Sequence, residues 1–79
     1  MTHTPYLVQI APAAQRQIGS FSRKQQMTII KLIETLAINP RPPGVKKIEG
    51  LTGLYSEDVN HLRLIYKVEE QEVLVLLVK

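Results

Sequence analysis

Residues 39–68 read NPRPPGVKKIEGLTGLYSEDVNHLRLIYKV. Asn39-Pro40 is a helix stop, because the residue before a proline is pushed out of the helical region and proline itself cannot continue the ladder. From Arg41 to Gly53, prolines 42 and 43 and glycines 44, 50 and 53 predict an extended connection, with room for a short strand around Val45 to Ile48. Leu54 to Val59 is a strand candidate weakened by Ser56, Glu57 and Asp58, which are poor strand formers. Asn60-His61 suits a two-residue hairpin turn, since asparagine tolerates positive φ. Leu62, Leu64, Tyr66 and Val68 then alternate with Arg63, Ile65 and Lys67, the pattern of a half-buried strand with Arg63 and Lys67 on its second face.

Upstream of the stop, Ile29, Leu32, Ile33 and Leu36 form an apolar helical stripe, which Met27, Ile30 and Ala37 are expected to widen. Ser22 and Gln25 have capping-box spacing, so this helix should begin there. A shorter amphipathic helix precedes it, with Pro12 in its first turn and Ala14, Ile18 and Phe21 on one face, broken near Gly19 to Ser22. Tyr6, Val8 and Ile10 alternate with Leu7 and Gln9, a first strand ended by Ala11-Pro12. Downstream, Glu69-Glu70-Gln71 turns the chain, and Val73 to Val78 is unbroken apolar sequence. Such a strand is covered on both faces or lies beside a partner, and masking by another chain is the expectation. The order of elements predicts an α+β fold, an N-terminal strand and a two-helix hairpin packed on a small antiparallel-rich sheet.

At 79 residues the chain is expected to be one domain spanning 1–79, with a core only marginally able to stabilise itself. The absence of cysteine excludes disulfides and thiolate metal sites, and no cofactor or metal is expected. No apolar run approaches the ~20 residues that span a bilayer, and the N-terminus MTHTPYLVQ has neither a basic start nor an apolar signal core. A cytoplasmic protein without membrane contact is the expectation. The net charge of +3 suits an anionic partner weakly. Its distribution is more telling. Residues 1–38 carry Arg16, Arg23, Lys24 and Lys31 against Glu34, the next stretch adds Arg41, Lys46, Lys47, Arg63 and Lys67 against Glu49, Glu57 and Asp58, and the tail from Val68 is net acidic.

The helix containing AAQRQI, the helix ending in LAINPRP, the connection KKIEGLTGLY and the strand LRLIYKV resemble, in order and spacing, the RelE/ParE superfamily of toxins from bacterial type II toxin–antitoxin pairs. Together these motifs cover nearly the whole chain. The resemblance implies a toxin wrapped by a cognate antitoxin in an oligomeric complex, with the ribosome and messenger RNA as targets of a RelE-like endonuclease that inhibits translation. ParE-like, non-enzymatic inhibition of DNA gyrase is the alternative, and a degenerate protein that only binds antitoxin is a third reading. Ribosome-dependent cleavage is attack by a ribose 2′-hydroxyl on the adjacent phosphate, which calls for a base, an acid and cations for the developing phosphorane charge.

Carried over by position, Arg63 matches the family's strand arginine and would clamp phosphate. The two alternating basic positions that usually follow Gly-Leu-Tyr are Ser56 and Asp58 here, with Glu57 between them. Asp58 would repel a phosphate. The family's usual Gly-His-Arg segment and C-terminal tyrosine have no counterpart before Lys79. The candidate catalytic residues are therefore Arg63 and His61, the latter as acid or base, and the candidate RNA-binding residues are Lys46, Lys47 and Arg41. Each also has an ordinary reading: Arg63 as a solvated strand residue, His61 as a turn residue, and the lysine pair as a solvated loop. Tyr55 and Tyr66 could stack on a base, but alternation places Tyr66 with the core.

Overall fold

The computed structural model describes residues 5–79, so the first four residues of the N-terminus discussed above lie outside it. Its elements are β1 (Leu7–Ile10), α1 (Pro12–Ser20), α2 (Arg23–Ile38), β2 (Lys46–Lys47), β3 (Leu54–Val59), β4 (Leu62–Glu69) and β5 (Glu72–Val78). The five strands form one sheet in the order β1-β5-β4-β3-β2. Only β1 and β5 pair in parallel, and the other neighbours are antiparallel.

Both helix boundaries anticipated for α2 are present. The Ser22 hydroxyl accepts from the Gln25 N–H at 3.2 Å while the Gln25 side chain accepts from the Ser22 N–H at 3.1 Å, so two orphan donors are satisfied reciprocally. Asn39 is extended, with φ −141° and ψ 100°, as its position before Pro40 requires. Pro12 opens α1 without a side-chain cap.

The helices cover one face of the sheet. Ala14 of α1 and Ile29 and Leu36 of α2 are buried against Leu62, Leu64, Tyr66 and Val68 of β4 and Val73, Val75 and Val78 of β5. Val8 and Ile10 of β1 join the same core. Burial switches from odd to even positions along β5 because the ladder slips between Ile65 and Tyr66: Tyr66 pairs with Val75 and Ile65 with Leu77, leaving Leu76 as a bulge. Beyond the end of β1 the Val78 N–H points away from β4, and the Gln17 side chain accepts from it at 2.7 Å. That bond ties α1 to the last strand.

Two sequence expectations are corrected. Met27 and Ile30 do not widen the buried stripe, being 55% and 51% exposed, because at ~100° per residue they fall roughly 170° and 110° from the centre of the arc formed by Ile29, Leu32, Ile33 and Leu36. The edges of the apolar strand β5 need no other chain: it is an interior strand, with β4 on one edge and β1 on the other. No helix among the described residues is long and apolar enough to cross a membrane.

Candidate functional site

The hairpin of β3 and β4 sets the geometry. Asn60 and His61 have φ of 50° and 66°, both left-handed, and Val59 pairs directly with Leu62. A turn this tight leaves no freedom of register, so Asp58 lies opposite Arg63 and Ser56 opposite Ile65. These four residues project from the face of the sheet opposite to Tyr66, the face the helices leave open. On the other side of Arg63, its backbone exchanges two hydrogen bonds with Lys79, at 2.8 and 2.9 Å, which completes a row Asp58, Arg63, Lys79 across three chain segments.

Within that row the Arg63 Nε donates to Asp58 Oδ1 at 2.9 Å and its Nη2 to Oδ2 at 3.5 Å. The carboxylate holds the guanidinium above its ordinary pKa, and the guanidinium, with Lys46 adding to it, holds Asp58 below the usual carboxylate range. Asp58, His61, Leu62, Arg63 and Lys79 line an open depression at this corner of the sheet. The Arg63 guanidinium faces this depression with Asp58 in its fork, and His61 stands at the rim. The structure thus brings the two sequence-derived catalytic candidates to one place, together with Lys79, which the sequence reading missed. A lone lysine after an apolar strand gives no signal of its own. Only the register of β4 with the segment after β5 places it beside Arg63.

The RNA-binding candidates are divided. Lys46 pairs with Ser56 and Lys47 with Tyr55, so adjacent lysines in β2 serve opposite faces, and only Lys46 joins the Arg63 face. Lys47 belongs with a second cluster. Arg41 Nε donates to the Tyr55 hydroxyl at 2.8 Å, its guanidinium carbon lies 5.3 Å from the Tyr55 ring centroid, and Tyr55 stacks on Tyr66 with centroids 5.9 Å apart. The hydroxyl contact raises the Arg41 pKa. Tyr66 is fully buried, its hydroxyl pushed up by that burial and donating to the Pro40 carbonyl at 2.7 Å, so it offers no surface to a base. Glu57, on the core side of β3, is raised by burial and has one carboxylate oxygen without a partner. No group of three His, Cys, Asp or Glu side chains among the described residues is placed to hold a metal ion.

No protein-family model matches the chain, and no curated protein matches it in sequence. Solved structures do. The RelE–RelB complex from Pyrococcus horikoshii matches with a TM-score of 0.85 at 23% identity, over 95% of this chain and 93% of that one. The chain has the fold of RelE toxins. The RelBE2 toxin–antitoxin complex of Mycobacterium tuberculosis matches with a TM-score of 0.82 at 21% identity, over 99% of this chain and 93% of its counterpart. The isolated Escherichia coli RelE toxin matches with a TM-score of 0.80 at 19% identity, over 92% of this chain and 81% of that one. Against the RelE fold, the order of strand, two helices and antiparallel meander read from the sequence stands.

Proposed function

We propose that this chain is a RelE-like toxin of a type II toxin–antitoxin pair, a single domain that a RelB-like antitoxin holds in complex and that acts in the cytoplasm on messenger RNA at the ribosome. The observation that carries the reading is the backbone match to RelE, at a TM-score of 0.85, over almost the full length of both chains. That the solved neighbours are RelE toxins favours this target over the gyrase inhibition of the ParE-like alternative.

In this reading Arg63 meets the scissile phosphate and stabilises the charge that builds on it, as a cation in a fixed fork does for phosphoryl oxygens. His61 moves the proton between the 2′-hydroxyl or leaving oxygen and solvent. Lys46 and Lys79 hold the flanking backbone, and Arg41 and Lys47 contact RNA from the Tyr55 side. Cleavage is slow, because Asp58 neutralises the arginine and Ser56 supplies no cation.

The test is induction of the chain in a bacterium lacking its antitoxin, following amino-acid and thymidine incorporation separately. Protein synthesis is expected to fall first. The Arg63→Ala variant should slow that fall by roughly 10- to 100-fold, less than the roughly 100- to 1000-fold of an unhindered oxyanion donor because Asp58 already occupies the arginine. Early loss of DNA synthesis with translation intact would overturn the reading in favour of gyrase. No effect from soluble, antitoxin-binding protein would leave a binding module without toxicity.

A further inference from the structure

Arg63, Lys79 and Lys46 share the open face with Lys67, which is paired with Glu69 at 2.6 Å, while the Asp58 carboxylate sits in the arginine's fork, Nε to Oδ1 at 2.9 Å and Nη2 to Oδ2 at 3.5 Å. Two adjacent oxygens on two adjacent guanidinium nitrogens is also how an arginine grips a phosphate. The contact is not a by-product of core packing. Both side chains are about half exposed, at 56% for Arg63 and 49% for Asp58, and an exposed pair of this kind contributes little to stability. What imposes it is the turn: with Val59 paired to Leu62, Asp58 and Arg63 must face each other on the open side.

We infer that Asp58 is a built-in competitor for phosphate, occupying the Arg63 guanidinium in place of a ligand and weakening the hold of this face on the phosphodiesters of single-stranded RNA. The ligand class rests on the RelE-like reading above, whereas the competition follows from the contact. An incoming phosphate must displace the carboxylate from the fork and then remain beside its charge. Both effects lower affinity, and removing the charge at position 58 relieves both while leaving Arg63, Lys46 and Lys79 in place.

The experiment titrates the full chain with a fluorescein-labelled, fully 2′-O-methylated oligoribonucleotide, which cannot be cleaved by 2′-hydroxyl attack. Wild type, Asp58→Asn, Arg63→Ala and the double variant are compared over a series of salt concentrations. Asp58→Asn is expected to tighten binding about five- to tenfold near 0.1 M salt and to steepen the salt dependence by about one counterion. In the Arg63→Ala background the same substitution should change affinity less than about twofold. An equal gain in both backgrounds would reduce the effect to net charge and overturn the inference, as would unchanged affinity or the absence of binding by every variant. The nitrogen-15 resonance of Arg63 Nε in the free chain gives a reading that needs no RNA: it should move on Asp58→Asn, and a fixed resonance would deny the contact. Failure of the toxin reading has a different signature, translation untouched by either protein while the affinity difference between them persists.

Discussion

Replacing Tyr66 with alanine is expected to lower the unfolding free energy by about 3–5 kcal/mol, the range for truncating a large buried aromatic. Tyr66 is fully buried in β4, stacks on Tyr55, and through its hydroxyl holds the Pro40 carbonyl just beyond the end of α2. The substitution therefore opens a cavity and strips a buried acceptor of its donor at once. A domain of this length has a total stability on the order of 4–12 kcal/mol, so Tyr66→Ala should leave the chain marginal. Urea unfolding followed by far-ultraviolet circular dichroism measures this as a midpoint lower by about 3–5 M, if the slope is about 1 kcal/mol per molar for so small a protein. Tyr66→Phe separates the two contributions. It keeps the ring and loses only the bond to Pro40, and should cost about 1–2 kcal/mol. A Tyr66→Ala loss no larger than the Tyr66→Phe loss would mean that the ring packs more loosely than the buried position indicates.

Gly53→Ala is the second large effect, expected at about 2–4 kcal/mol. Gly53 enters β3 with φ +76°, and a Cβ there would stand 2.9 Å from the Val68 carbonyl oxygen. That oxygen is main chain of β4 and cannot swing aside. The Val68 N–H also donates to the Gly53 carbonyl at 2.8 Å, which pins the two strands at the point of closest approach. Gly50 makes the comparison clean, with φ +80° and nothing within 4 Å of its would-be Cβ. Gly50→Ala should then cost only the left-handed backbone term, about 1–2 kcal/mol, and the difference in thermal midpoint between the two variants isolates the steric clash. Equal losses would show that the strand pair yields to the extra carbon.

How far the molecule can be read from its sequence follows from the range of the interactions involved. Ser22 with Gln25, Asn39 before Pro40, and Asn60-His61 are local signals, and they begin, end and turn elements where expected. The alternation of Leu62, Leu64, Tyr66 and Val68 likewise names the buried face of β4. The parallel pairing of β1 with β5 joins residues more than sixty positions apart and leaves no local trace, which is why the apolar run in β5 was referred to another chain. Met27 and Ile30 were counted toward the core for being apolar, although helical periodicity turns both away from the stripe through Ile29 and Leu36. At the candidate site, the opposition of Asp58 and Arg63 was available in principle, since a two-residue turn at 60 and 61 dictates it. Reading Asp58 only as a repulsive charge missed that it would find the arginine first. The division of Lys46 from Lys47 was equally implicit in strand alternation, once β2 was taken as a strand rather than a loop.

The placement of β5 also bears on when the chain can become itself during synthesis. β1 pairs with β5 alone, and β5 supplies Val73, Val75 and Val78 to the core. A nascent chain that has emerged only as far as Glu69 can form its helices and the β3–β4 hairpin, but its first strand has no ladder and its core lacks one side. Pairings between such distant parts of a chain form last and slowly. The row Asp58, Arg63, Lys79 is completed by the same late strand, so the tertiary fold and the corner around Arg63 arrive together.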